Sequence, residues 1–119
     1  MNNRNFVRKK RLVEWETIMR IVRREVEPLE YSGDIAGAKN VLEKLPQEDG
    51  LVLKKWGDVL LKEAQMNKDF EAAKKALTKA QLAEEAFSLA KYKHIAKQLQ
   101  VSIKKWMEQN STLSKSTSQ

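Results

Sequence analysis

Residues 68–80 read Lys-Asp-Phe-Glu-Ala-Ala-Lys-Lys-Ala-Leu-Thr-Lys-Ala, and residues 33–39 read Gly-Asp-Ile-Ala-Gly-Ala-Lys. Both stretches share one order: Asp, an apolar residue, two variable residues, Ala, Lys. The second copy lies 35 residues after the first. Downstream, Leu42 matches Leu77 and Leu45 matches Ala80; upstream, Ile21 matches Trp56 and Val26 matches Leu61. Within the copies Ile35, Ala38 and Leu42, and Phe70, Ala73, Leu77 and Ala80, are spaced by threes and fours. That spacing puts each set on one face of a helix. Each unit reads helix, turn, helix, and a period near 35 is the mark of a helical-hairpin repeat.

The rest of the chain is read outward from these units. Leu12, Trp15, Met19, Val22, Val26 and Leu29 form one stripe at 3-and-4 spacing, which predicts a first helix from about Arg4 to Leu29. Pro28 is expected to break or kink it. A short second helix follows from about Asp34 to Leu45, capped by Ser32 or Asp34, and Pro46 to Gly50 reads as a loop. A third helix covers about Leu51 to Met66, with Val52, Trp56, Val59, Leu60 and Ala64 on its apolar side. The fourth starts at Phe70 after a turn at Asn67-Lys68-Asp69, with Asp69 as its cap. It carries Ala72, Ala76 and Ala83 on a second face, so small residues allow close neighbours on two sides. Leu89, Tyr92, Ala96, Leu99, Ile103 and Trp106 predict a last helix to about Glu108. No Gly or Pro separates it from Phe70. A turn near Gln81 to Ala86 is favoured over one helix of about forty residues, because helices average far shorter.

The unit from about Lys54 to Glu85 resembles the tetratricopeptide repeat family. Asn67 to Ala73 looks like that family's turn into its second helix, and Ala73, Leu77 and Ala80 fall where it places Ala, a bulky apolar residue and Ala. Leu60 fits the apolar position of its first helix. The chain departs from the family pattern at Leu61, Ala64 and Glu85, and in the first unit at Glu25; its period is one residue longer than usual. The resemblance covers about two units. It implies an all-α fold of stacked antiparallel hairpins, four to five helices in all, with the Leu89–Trp106 helix covering the last hairpin. It further implies a protein-interaction scaffold with a concave face, not an enzyme.

Composition sets the outer bounds. The chain has 119 residues, 41% hydrophobic and 33% charged, with 4 Gly, 2 Pro and no Cys. This fits a single helical domain over residues 1–110 followed by a disordered Ser/Thr-rich tail over 111–119. Lacking Cys, it forms no disulfide, thiolate zinc site or iron–sulfur cluster. No apolar run approaches a membrane span, and no signal-peptide block is present, so the expectation is a soluble cytoplasmic protein that does not insert into membranes. No phosphate loop, His-Glu-x-x-His or nucleophile motif occurs. No catalytic residue, metal ligand or cofactor site is therefore assigned. His94 stands alone on a basic helix.

Charge is unevenly placed. Residues 1–24 carry eight basic and two acidic side chains, residues 25–88 nine and thirteen, and residues 89–119 six and one. The balances are +6, −4 and +5, giving +7 overall. The basic ends supply candidate contacts for an acidic partner or a nucleic acid: Arg4, Arg8, Lys9, Lys10, Arg11, Arg20, Arg23 and Arg24, then Lys93, Lys97 and Lys104. Trp15, Trp56 and Trp106 are apolar anchors, read first as core and second as partner hot spots. The leading expectation is a small non-catalytic adaptor or regulator that binds another protein. The alternative is a nucleic-acid-binding accessory protein, sequence-tolerant because no base-reading motif is present. Heptad spacing from Leu12 to Leu29 also permits a homodimer, with packing inside one chain as the default.

Overall fold

The computed structural model describes residues 14–112, and every regular element in that span is helical. Helix α1 covers residues 14–32; its turn Val22–Val26 is π-helical and Glu27–Ser32 returns to α geometry. Helix α2 is Ile35–Glu43, α3 is Gly50–Asn67, α4 is Phe70–Ala86 and α5 is Ala90–Gln109. Five helices among the described residues thus make an all-α fold. The expected start of α1 at Arg4 lies outside the described residues, as does most of the expected tail. The first two tail residues, 111 and 112, are helical.

Pro28 does not break α1, one of the two outcomes expected of it; the helix is distorted locally and runs on to Ser32. A proline ring lacks an N–H and clashes with the carbonyl four residues back. The backbone widens one turn just ahead of it, where the Glu27 N–H donates to the Val22 carbonyl, five residues away. Pro28 then sits in the first turn of the segment Glu27–Ser32, where a missing N–H costs little. Past the widened turn the extra residue shifts the buried face by one position, from Leu29 to Glu30. Trp15, Met19 and Leu29, expected on the core stripe, are half-buried. Val22 and Val26 of that stripe are buried as expected, and Ile18 and Glu30 join them, at a spacing of four throughout.

The two turns 35 residues apart share their geometry. Gly33 and Lys68 both adopt left-handed backbone, at φ 88° and 52°. The following N–H closes each helix by donating five residues back, Asp34 to the Leu29 carbonyl at 2.8 Å and Asp69 to the Ala64 carbonyl at 3.0 Å. Each Asp then caps the next helix. Asp34 Oδ1 accepts from the Gly37 N–H, and Asp69 Oδ1 from the N–H groups of Glu71 and Ala72. Ser32 is not the cap of α2; its hydroxyl donates to the Leu29 carbonyl at the end of α1.

Helix α4 is packed on two sides, by α3 and by α5, while α2 bridges α1 and α3. Its alanines allow this: Ala72, Ala73, Ala76, Ala80 and Ala83 are all buried. At the crossing with α3 and α5, a Cβ on Gly57 would lie 2.8 Å from a Leu99 methyl and 3.4 Å from the Ala76 carbonyl. Of the hairpin positions, Ala38, Leu42, Phe70, Ala73 and Ala80 are buried, and Ile35 and Leu77 half-buried. Leu42 and Ile103 are fully buried core side chains, each contributing roughly 1.5–3 kcal/mol of apolar burial.

A turn does separate α4 from α5, but at residues 87–89 rather than at Gln81 to Ala86. Phe87 and Leu89 have extended backbone, with ψ 133° and 135°. No breaker residue marks the site. Phe87 is buried against the start of α3, and its packing sets where the helix stops.

Two outcomes follow from the turns and the crossing. Asp34→Ala and Asp69→Ala should each lower stability by about 0.5–2 kcal/mol in urea unfolding, whereas Lys68→Gly should raise it by about 1 kcal/mol by removing left-handed strain from a side chain that bears a Cβ. Gly57→Leu should lower stability by about 1–3 kcal/mol or more, since neither the Ala76 carbonyl nor buried Leu99 can withdraw.

Candidate docking cleft

Among the described residues, the cationic side chains expected from sequence divide between α1 and α5. Arg20, Arg23 and Arg24 are exposed on α1 and form no ion pair among the described residues. Arg4, Arg8, Lys9, Lys10 and Arg11 lie outside the described residues. On α5, Lys93 donates to the Glu84 carbonyl at 2.8 Å, Lys97 stands 3.8 Å from the Glu84 carboxylate, and Lys104 is exposed. His94 is exposed on the same helix. No helix among the described residues is long and apolar enough to cross a membrane.

The three tryptophans have different surroundings. Trp56 is buried, and its Nε1–H donates to Gln47 Oε1 at 3.0 Å. Trp106 is half-buried against Phe70, ring centres 6.5 Å apart. Trp15 is half-buried on the wall of a cleft of about 590 Å³.

Three separate parts of the chain build this cleft: the first described turns of α1, the loop between α2 and α3, and the turn between α4 and α5. Aromatic rings make its floor. Trp15 meets Tyr92 at 6.0 Å between ring centres, inclined by 58°, and Tyr92 stacks on Phe87 at 5.4 Å and 28°. Phe87 reaches its seat because Gly50 has no side chain; a Cβ there would come within 2.7 Å of the Phe87 ring. Leu89 stands at the mouth, 55% exposed. The loop is pinned from behind by Gln47, whose amide donates to the carbonyls of Leu42 and Leu45 while its oxygen holds Trp56. Exposed Glu14 and Glu48 and half-buried Asp49 supply the charge, and no cationic side chain among the described residues lines the cleft. Asp49 is already engaged, accepting from the Leu51 and Val52 N–H groups as the cap of α3. Lys91 lies over the Tyr92 ring at 5.1 Å.

A smaller groove of about 380 Å³ lies between α2, α3 and α4 and is lined by Lys39, Glu43, Trp56, Lys75 and Lys79 among others. Lys79 sits 5.5 Å over the Trp56 ring, and Lys39 pairs with Glu63 at 2.9 Å.

Between α1 and α3 lies a charged cluster that the sequence reading missed. Lys55 is buried, with its Nζ 3.1 Å from Glu30, 3.2 Å from Glu27 and 3.3 Å from Asp58. Burial alone would push its pKa down. Attraction to Asp58, then to Glu30 and its hydrogen bond, then to Glu27, outweighs that and holds Lys55 well above the ordinary value of 10.5. A signal was present: Lys55 falls three and four residues from Val52 and Val59, inside the apolar side of α3. What hid its partner was the π-turn that brings Glu30 inward.

The chain matches no protein-family model, no curated protein and no solved structure.

Removing Lys55 leaves Glu30 buried without a counter-charge. Lys55→Met should therefore lower stability by roughly 3–5 kcal/mol, and adding Glu30→Leu should restore much of it. The folded pKa of Lys55 lies above its unfolded value, so its contribution is complete below pH 10.5 and is lost as pH rises further. Urea unfolding should show a gap between wild type and Lys55→Met that is steady near neutrality and narrows above that pH.

Proposed function

We propose that the protein is a small non-catalytic adaptor or regulator that binds another protein, with the aromatic cleft as its docking site. The observation that carries this reading is the cleft itself: half-buried Trp15 and Tyr92 and exposed Leu89 leave apolar surface open between three elements that the core holds in place. Aromatic side chains in a preformed recess are what binding hot spots use. The hairpins α1–α2 and α3–α4, with their matching turns, support a tetratricopeptide-like scaffold in which helices present surface rather than chemistry. A second reading, sequence-tolerant nucleic-acid binding, is favoured by exposed Arg20, Arg23 and Arg24.

A photo-cross-linking residue at position 89 of the full chain tests the choice, in cells that produce the protein. The control is position 68, at the far end of α3 from the cleft. The expected result is a protein adduct from position 89 that survives nuclease and is absent from position 68. Equal adducts from both positions, or recovery that nuclease abolishes, would reject cleft docking; a steeply salt-dependent affinity for nonspecific DNA and RNA would then support the second reading.

A further inference from the structure

Resting on the cleft as a docking site, we infer the chemistry of its occupant: a segment of a partner protein in which a Lys or Arg lies beside a bulky apolar side chain. The cleft pairs two features that ask for this combination. Its floor, made by Trp15, Ile18, Phe87 and Tyr92 with Leu89 at the mouth, has apolar surface that water leaves gladly. Its volume of about 590 Å³ is that of a site for a few side chains rather than a whole domain.

Among the described residues the rim has one sign. Glu14 comes from α1 and Glu48 from the loop between α2 and α3; both are exposed and neither is in an ion pair among the described residues. Asp49 adds a third carboxylate, although its charge is partly committed to the start of α3. No cation among the described lining residues offsets them; Lys91, 5.1 Å from the Tyr92 ring centre, is not one of those lining residues. A phosphate or an acidic segment entering here meets like charge, whereas a cation meets carboxylates and aromatic faces that attract it. A guanidinium, planar and weakly hydrated, suits half-buried Trp15 and Tyr92 better than an ammonium does. The acidic cleft is thus distinct from the exposed arginines of α1, and the two surfaces call for opposite partners.

The test pans a random dodecapeptide library displayed on phage against the full chain and measures enriched peptides by fluorescence anisotropy. Enriched sequences should carry Arg or Lys within two or three residues of Trp, Phe or Leu. The double variant Glu14→Lys/Glu48→Lys, both exposed positions, should keep its helical circular dichroism and weaken these peptides at least tenfold at low salt. Leu89→Glu should weaken them as well, through the lost apolar contact. Neutral or acidic peptides that lose binding on Leu89 substitution but not on rim reversal would overturn the inference and leave cleft docking standing. Peptides indifferent to all three substitutions, or no enrichment, would overturn both. A dimer in sedimentation analysis that the rim reversal dissociates would place a second copy in the cleft, and so overturn the inference in favour of self-association.

Discussion

Helix α4 presents alanine to two neighbours at once, and the rest of the structure depends on that crossing. Gly57 and Ala80 remove the side-chain bulk between α3 and α4, and Leu99 of α5 fills the space that glycine leaves. Dispersion attraction falls off within an ångström of lost contact, so this close approach lets three helices gain from meeting. Once α3, α4 and α5 are locked, the starts of α3 and α5 and the end of α4 are brought to the same end of the molecule. Phe87 enters the space beside Gly50, Tyr92 stacks on Phe87, and Trp15 meets Tyr92. The cleft is a consequence of the crossing, two steps removed.

The α1 side is held by different physics. Ile18, Val22 and Val26 pack into the core, but Glu30 of the same face is charged. Its burial is tolerable only because Lys55 meets it, with Glu27 and Asp58 completing the cluster. Such a cluster adds little net stability compared with apolar packing, yet it penalises any register in which one partner is left alone. The π-turn before Pro28 is what brings Glu30 into line. A proline that cannot continue an ordinary hydrogen-bond ladder, and a buried lysine 27 positions later, are therefore parts of one arrangement.

Much of the fold was legible because its signals are local. Asp34 and Asp69 are caps by residue type and position, and Gly33 and Lys68 precede them at matching places. The alanine pattern of α4 announced two packed faces. Less of the candidate site was legible. Trp15 and Tyr92 fall at helical spacing with apolar neighbours, but nothing along the chain says that their rings meet or that both stay half-open. Phe87 carried no turn signal, since its role comes from Gly50, 37 positions earlier. Arg20, Arg23 and Arg24 lie on α1 and Lys93, Lys97 and Lys104 on α5, and charge density along a chain does not tell which faces come together.

Helical class, helix direction at the two capped turns and the division into apolar and polar faces were settled by residues within a few positions of one another. Hydrogen bonds inside a turn and a face of 3.6-residue period need nothing more distant. The phase of α1 beyond Val22, the end of α4 at Ala86, the Lys55 cluster and the acid-rimmed cleft were settled by tertiary structure. Each depends on side chains from separate helices occupying or vacating the same space, and that competition exists only after the helices have packed.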